Sequence, residues 1–216
     1  MKDPVARSMS SQLFVRIRER ILTGEYKSGT QLLQDSLAAE FGVSKIPLRE
    51  ALVQLCSDGL LDFYAHRGFQ VRPTSLEEMQ EVFRLRLNLE PDAVAHGARV
   101  ASAKDREVAR EALAAEQQAL TAKGQGYSGD LNSAFHLALI VPRVQPVTKE
   151  VLQRLYTICE RYVRMHVRPP GRQKRSYKEH VELHDAWAAG QAKEAERLVR
   201  DHITEIRDDL SKTLSE

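Results

Sequence analysis

The chain has 216 residues, 42% hydrophobic and 29% charged, with 32 Lys+Arg against 30 Asp+Glu, a formal net charge of +2. That length and mix can bury a core without disulfide staples, and they exclude a fibrous or low-complexity chain. No run approaches the roughly 20 apolar residues that span a bilayer, and the start, MKDPVARSMSSQ, lacks the apolar stretch of a secretion signal.

Cys56 and Cys159 lie far apart among apolar residues, as free thiols do in a reducing compartment, so the expected setting is the cytoplasm. The small positive excess sits in residues 1–72, where Lys+Arg number 10 and Asp+Glu 8. Bulk charge alone therefore does not announce a nucleic-acid partner.

In chain order the reading is helical almost throughout. Ser10 or Ser11 caps a first helix with Leu13, Phe14, Ile17 and Ile21 at helical spacing, stopped by Gly24. A short second helix around Leu37, Ala38 and Phe41 ends at Gly42. Ser44 caps a third that reaches Asp58-Gly59. LLDFYAHRGFQVRP then carries two β-type runs, Leu60 to Tyr64 and Phe69 to Arg72, around a turn containing Gly68, a hairpin pattern.

Pro73-Thr74-Ser75 is a break, and Ser75 with Glu78 forms a capping-box pattern for the next helix. That helix, VFRLRLNLEPDAVAHGARVA, is expected to kink or break at Pro91. Further helices follow in DREVAREALAAEQQALTA, LNSAFHLALIV, TKEVLQRLYTICERYVRMHV, KEHVELHDAWAAG and AKEAERLVRDHITEIRDDLSK, with loops at GQGYSG and PPGRQKRS. The expected fold is mostly α: a winged helix-turn-helix over residues 1–74 and an all-helical bundle over residues 75–216.

The third helix opens VSKIPLREALVQL. Pro47 falls in its first turn, where backbone N–H groups have no intrahelical partner, so proline removes little there. Leu48, Leu52 and Leu55 form the core stripe, while Lys45 and Arg49, at i and i+4, share another face. Such a helix end can enter a major groove and read guanine or hold phosphate. His66 and Arg67 at the hairpin tip suit a wing against DNA. Spacing alone leaves equally open that these are merely solvated cations.

In the second module Asn132 and His136 are i,i+4 on one helix, His180 and His184 on another, and His202 borders the apolar side of the last. Inward histidines in a bundle can hold a metal; each taken singly is more simply a core or surface histidine. HVELH is not a zinc-protease helix, because Val181 stands where that motif needs glutamate. No nucleophile triad or phosphate-binding glycine loop is present in the sequence.

ILTGEYKSGTQL, LAAEFGVSKIPLREALVQL and DGLLDFYAHRGFQV resemble the GntR family of bacterial transcription regulators over residues 11–72. The resemblance implies DNA contacts at Lys45, Arg49, His66, Arg67 and Gly68. The family usually has Arg-Thr where this chain has Lys45-Ile46; lysine keeps the charge but loses the bidentate fork. Residues 76–210 resemble the FCD effector domain of the FadR subgroup, through Arg86-Leu-Asn-Leu-Glu90, Asn132-Ser-Ala-Phe-His136, Glu179-His180 with Asp185-Ala186, and Asp201-His202.

That resemblance implies a divalent metal, zinc or nickel, on Asn132, His136, His180 and His202. It also implies a small carboxylate effector anchored by Arg86. His184 falls at an apolar family position and is read as structural or surface; Tyr156 and Trp187 are read as core. Neutral ligands leave the ion's full charge to attract an anion. The implied function is a homodimeric repressor on a pseudo-palindromic operator; the alternative is a metal-dependent hydrolase or lyase with an accessory N-terminal module.

Overall fold

A computed structural model describes residues 8–65, 67–121, 129–141, 145–166 and 171–215. The chain divides into two compact units, with the boundary after Thr74. The first contains α1 (Met9–Leu22), β1 (Gln31–Leu32), α2 (Gln34–Phe41), α3 (Lys45–Ser57), β2 (Leu61–Tyr64) and β3 (Gly68–Val71).

Ser8, rather than Ser10 or Ser11, caps α1, its Oγ accepting the Ser11 N–H at 3.2 Å. Gly42 ends α2 at φ 65°, a left-handed residue that glycine adopts without a Cβ penalty. Leu13, Ile17 and Ile21 of α1 pack with Leu48, Leu52 and Leu55 of α3 and with Phe69 and Val71. The strand β1 is too short to show a period in the sequence. It pairs antiparallel with β3, Leu32 opposite Phe69, giving the sheet order β1-β3-β2. The hairpin pairs Phe63 with Phe69 and Tyr64 with Gly68, which fixes where the wing turn projects.

The second unit is helical among the described residues: α4 (Leu76–Val100), α5 (Ala103–Thr121), α6 (Gly129–Ala138), α7 (Pro146–His166), α8 (Arg172–Ala188) and α9 (Ala192–Ser215). α4 packs chiefly on α9 and is flanked by α7. No described helix is long and apolar enough to cross a membrane. Ser75 caps α4 through the Glu78 N–H at 3.1 Å. The rest of the expected capping box is rerouted: Ser75 N–H goes to Tyr162 Oη at 3.2 Å, and the Glu78 carboxylate takes Arg161 and Tyr162, both at 2.6 Å.

Two expectations need correction. Pro91 does not break α4, which runs through it as one helix. Proline has no N–H for the carbonyl of Leu87, four residues back; Arg200 of α9 donates to that carbonyl instead, at 3.4 Å. Packing on α9 thus supplies a replacement partner. The basic loop PPGRQKRS is only partly a loop, because α8 already starts at Arg172, after Gly171 at φ 86°; Pro169 and Pro170 lie outside the described residues, as does the GQGYSG loop as far as Ser128.

Gly97 marks the tightest approach onto α4. A Cβ there would meet the Leu139 carbonyl oxygen at 2.2 Å and Trp187 Nε1 at 3.0 Å. Gly97→Ala is expected to destabilise the helical unit by about 1–3 kcal/mol, since backbone cannot yield as a side chain can. Denaturant unfolding followed by circular dichroism measures this; an unchanged midpoint would contradict the packing.

Candidate functional site

The first candidate surface is the start of α3. Ser44 occupies the N-cap position in an extended conformation, but its side chain makes no cap hydrogen bond. With Pro47 in the first turn, the remaining first-turn N–H groups face outward at the positive end of the helix. Lys45 and Arg49 are exposed, and Lys45 pairs with Asp35 of α2, with both side chains largely in solvent. Arg49 makes no ion pair with another described residue. Arg67 and Gly68 at the wing line the same concavity, of about 590 Å³, as Lys45 and Arg49. Gly68 has φ 79°, which favours glycine. His66 lies outside the described residues. Gln31 of β1 holds the wing in place by donating to the Arg67 carbonyl.

The second candidate is a histidine cluster. His136 of α6, His180 of α8 and His202 of α9 are all buried, and one ring nitrogen from each lies within 4.8 Å of the others. His180 Nε2 and His202 Nε2 are 3.3 Å apart. Each Nδ1 faces a carboxylate: His136 with Glu90 at 2.8 Å, His180 with Glu116 at 2.7 Å, and His202 with Glu179 at 2.7 Å. Phe135 stacks on the His180 ring at 4.6 Å between centroids and fixes its tilt. His184 stays apart, its Nδ1 beside Asp185 at 3.2 Å.

These donors suit a metal ion. A carboxylate behind each Nδ1 favours the tautomer with its proton there, which leaves Nε2 as the ligand atom. Two imidazole nitrogens on a tetrahedral ion with bonds near 2.0–2.1 Å stand about 3.3 Å apart. His136 Nε2 is buried without a hydrogen-bond partner among the described residues. The three carboxylates also offset part of a dication's charge, which the ligand set alone would leave whole.

Burial governs the protonation of this cluster. It lowers the His136 pKa to about 4, against the opposing pull of Glu90. Burial, then the neighbouring His202, holds His180 well below the ordinary value. Glu116 is raised by burial to about 7 despite the histidines nearby. Burial would also raise Glu90, but Arg86 and then His136 keep it far below the usual range.

Two family patterns cover the chain: "Bacterial regulatory proteins, gntR family" over residues 9–71 and "FCD domain" over residues 81–205. The HTH-type transcriptional regulator BphR of Paraburkholderia xenovorans is 32% identical over 215 residues, covering 93% of this chain and 85% of its own. This chain belongs to the GntR family of regulators with an FCD domain. McbR of Escherichia coli is 28% identical over 149 residues, covering 69% of this chain and 67% of its own.

The solved structure of E. coli McbR/YncC superposes with a TM-score of 0.77 at 22% identity, covering 96% of this chain and 99% of its own. A putative GntR regulator from Rhodococcus sp. RHA1 gives 0.69 at 20% identity, over 94% and 98%. These two likenesses concern the fold. The sequence relatives are transcriptional regulators, so the chain is a DNA-binding transcriptional regulator and not an enzyme; the hydrolase or lyase alternative is not supported.

GntR regulators bind operator DNA and small-molecule effectors, and FCD domains often bind metal. In this FCD unit Arg86, Asn132, Ser133, Tyr156, Cys159 and Glu160 surround a closed crevice too narrow to admit a water molecule. Asn132 is buried on α6, one turn before His136. Arg86 is buried, its Nε donating to Glu90 at 3.0 Å and Nη1 to Cys159 Sγ at 3.3 Å. Its Nη2 has no partner among the described residues. Tyr156 is core as expected, and the Arg86 guanidinium lies 4.6 Å over its ring at the edge of that crevice. Trp187 is core as expected.

Sequence reasoning found the imidazoles but missed Glu116 entirely and gave Glu90 and Glu179 no role. Glu116 stands 64 residues from the histidine it supports, and no local spacing marks such a pair.

The sign of one pH effect follows. Glu116 has a raised folded pKa, so its contribution to stability is present below about 4.5 and lost as pH rises through about 7. The lowered histidines act oppositely, losing stability as pH falls below their ordinary 6.5. Comparing wild type with Glu116→Gln isolates the first effect. In chelator-treated protein, the stability advantage of wild type is expected to shrink between pH 4.5 and 7, by at most about 1.4 kcal/mol per pH unit, and to stay flat above about 8. Denaturant titrations across pH measure it; an advantage that grows with pH would contradict the assignment.

Proposed function

We propose that the chain is a homodimeric repressor whose FCD domain senses a small organic acid through a divalent metal. The observation that carries this reading is the convergence of three carboxylate-backed imidazoles beside a closed crevice containing Arg86. His136, His180 and His202, with Asn132 as a fourth ligand, would hold zinc or nickel. The bound ion would supply an electropositive centre, which an anionic donor would reach once the closed crevice beside it opens.

Arg86 would orient the effector carboxylate. Its Nε is committed to Glu90, but the Nη1 and Nη2 edge offers two donors for a carboxylate pair, Nη1 giving up only a weak thiol acceptor. On the DNA side, Lys45, Arg49, Arg67 and Gly68 would contact the operator, as would His66. Two identical units would meet two half-sites of a pseudo-palindrome, because protein symmetry is mirrored in the site. Effector binding would relieve repression by favouring the arrangement that misfits the operator, which requires different affinities for the two arrangements.

Gel-shift against the DNA upstream of its own gene, with added metal and a panel of small carboxylates, tests the sensor. At least one acid is expected to weaken binding; indifference to every acid and metal would end the sensor reading. Arg49→Ala is expected to lose sequence-specific binding, with residual non-specific affinity that falls steeply with salt, while the melting temperature stays unchanged. His180→Ala is expected to lower metal content and melting temperature together. Protein purified without chelator that carries less than about 0.1 metal per chain would overturn the metal assignment; saturation of a structural metal site predicts about one.

A further inference from the structure

We infer that Ile46 reads the methyl group of a thymine in the major groove of the operator. This rests on the proposal that the start of α3 enters that groove, and it adds a base preference which the cations there do not supply.

Ile46 is 74% exposed, the most exposed large apolar side chain among the described residues. Lone exposed aliphatics are common and by themselves need no explanation. What singles this one out is its position. It is the second residue of α3, whose buried stripe is Leu48, Ala51, Leu52 and Leu55. At 100° per residue, Ile46 points almost directly away from that stripe, and Arg49 lies about 60° from it on the same outward side. Ile46 lines the concavity that also holds Gln34, Asp35, Lys45, Arg49 and Arg67. Leu32 and the exposed Leu33 also line it, but its charged groups are three cations, Lys45, Arg49 and Arg67, against one carboxylate, Asp35, a balance that suits a phosphate backbone.

An isoleucine in that position can make no hydrogen bond to a base edge. The major-groove edges present donors and acceptors throughout, with one apolar group, the C5-methyl of thymine. Contact between the Ile46 side chain and that methyl removes both from water. Contact with any other base leaves a polar edge facing an aliphatic chain. Lys45 and Arg49, both on the same flank of Ile46 about the helix axis, would take neighbouring guanines or phosphates, so the thymine should sit to one side of the positions they contact.

Selection of duplexes from a randomised library with the full-length chain yields its preferred site. Each thymine of that site is then replaced by deoxyuridine, which keeps every hydrogen-bonding group and lacks only the methyl. Competition gel-shifts are expected to show one thymine per half-site at which the replacement weakens wild-type binding about four-fold, the effect of burying one methyl-sized group. Ile46→Ala should bind the thymine and deoxyuridine duplexes alike at that position, and Ile46→Val should keep part of the difference.

Three outcomes overturn the inference: no thymine responds, Ile46→Ala keeps the wild-type preference, or Ile46→Ala weakens binding to every duplex equally. The last would mark a structural role. Arg49→Ala separates the underlying reading. If that variant still binds the selected site selectively, the placement of α3 in the groove fails, and the thymine contact fails with it for a distinguishable reason.

Discussion

The pairing of each buried imidazole with its own carboxylate is the interaction on which the helical unit depends. His136, His180 and His202 come from α6, α8 and α9, and their partners Glu90, Glu116 and Glu179 from α4, α5 and α8. Five helices are thus fastened at one point by polar contacts inside an apolar core. Such contacts are costly to break singly, because the group left behind is buried without a partner. They also set the chemistry: each carboxylate turns a ring so that its free nitrogen faces the centre. Arg86 extends the same network through Glu90, so the crevice and the histidine centre share one carboxylate.

The N-terminal unit is organised on the opposite principle. Its functional groups stand outside an ordinary apolar core, and their single strong constraint is orientation. Burial of Leu48, Leu52 and Leu55 fixes the rotation of α3 about its axis, and β1 pins the wing to β3. Among the described residues Lys45 forms a solvent-exposed pair with Asp35, a contact of the kind that contributes little to stability and is easily exchanged for phosphate.

Much of this was readable from the residues. The helices followed from apolar periodicity, and glycine and proline placed most of their ends. The exceptions have physical causes. α4 continues through Pro91 without a break, and Arg200, 113 residues after Leu87, donates to the carbonyl that proline leaves without its ladder partner. The strand β1 has two residues, too few for a period, and forms because β3 offers it a partner. The i,i+4 spacing put Asn132 and His136 on one face, but nothing local said that His180 and His202 would meet, or that Glu116 would stand behind one of them. The FCD resemblance brought the histidines together; only the fold brought the carboxylates.

The course of α4 has a mechanical consequence. This helix starts at Leu76, two residues past the division between the units, and carries Arg86 and Glu90 before the ladder defect at Pro91. The stretch from Leu76 to Arg86 is therefore an unflawed rod about 15 Å long. A helix of that length resists compression along its axis. Between its first turn and the guanidinium the helix ladder is continuous, and the one carbonyl that proline leaves without its ladder donor, that of Leu87, lies just beyond Arg86.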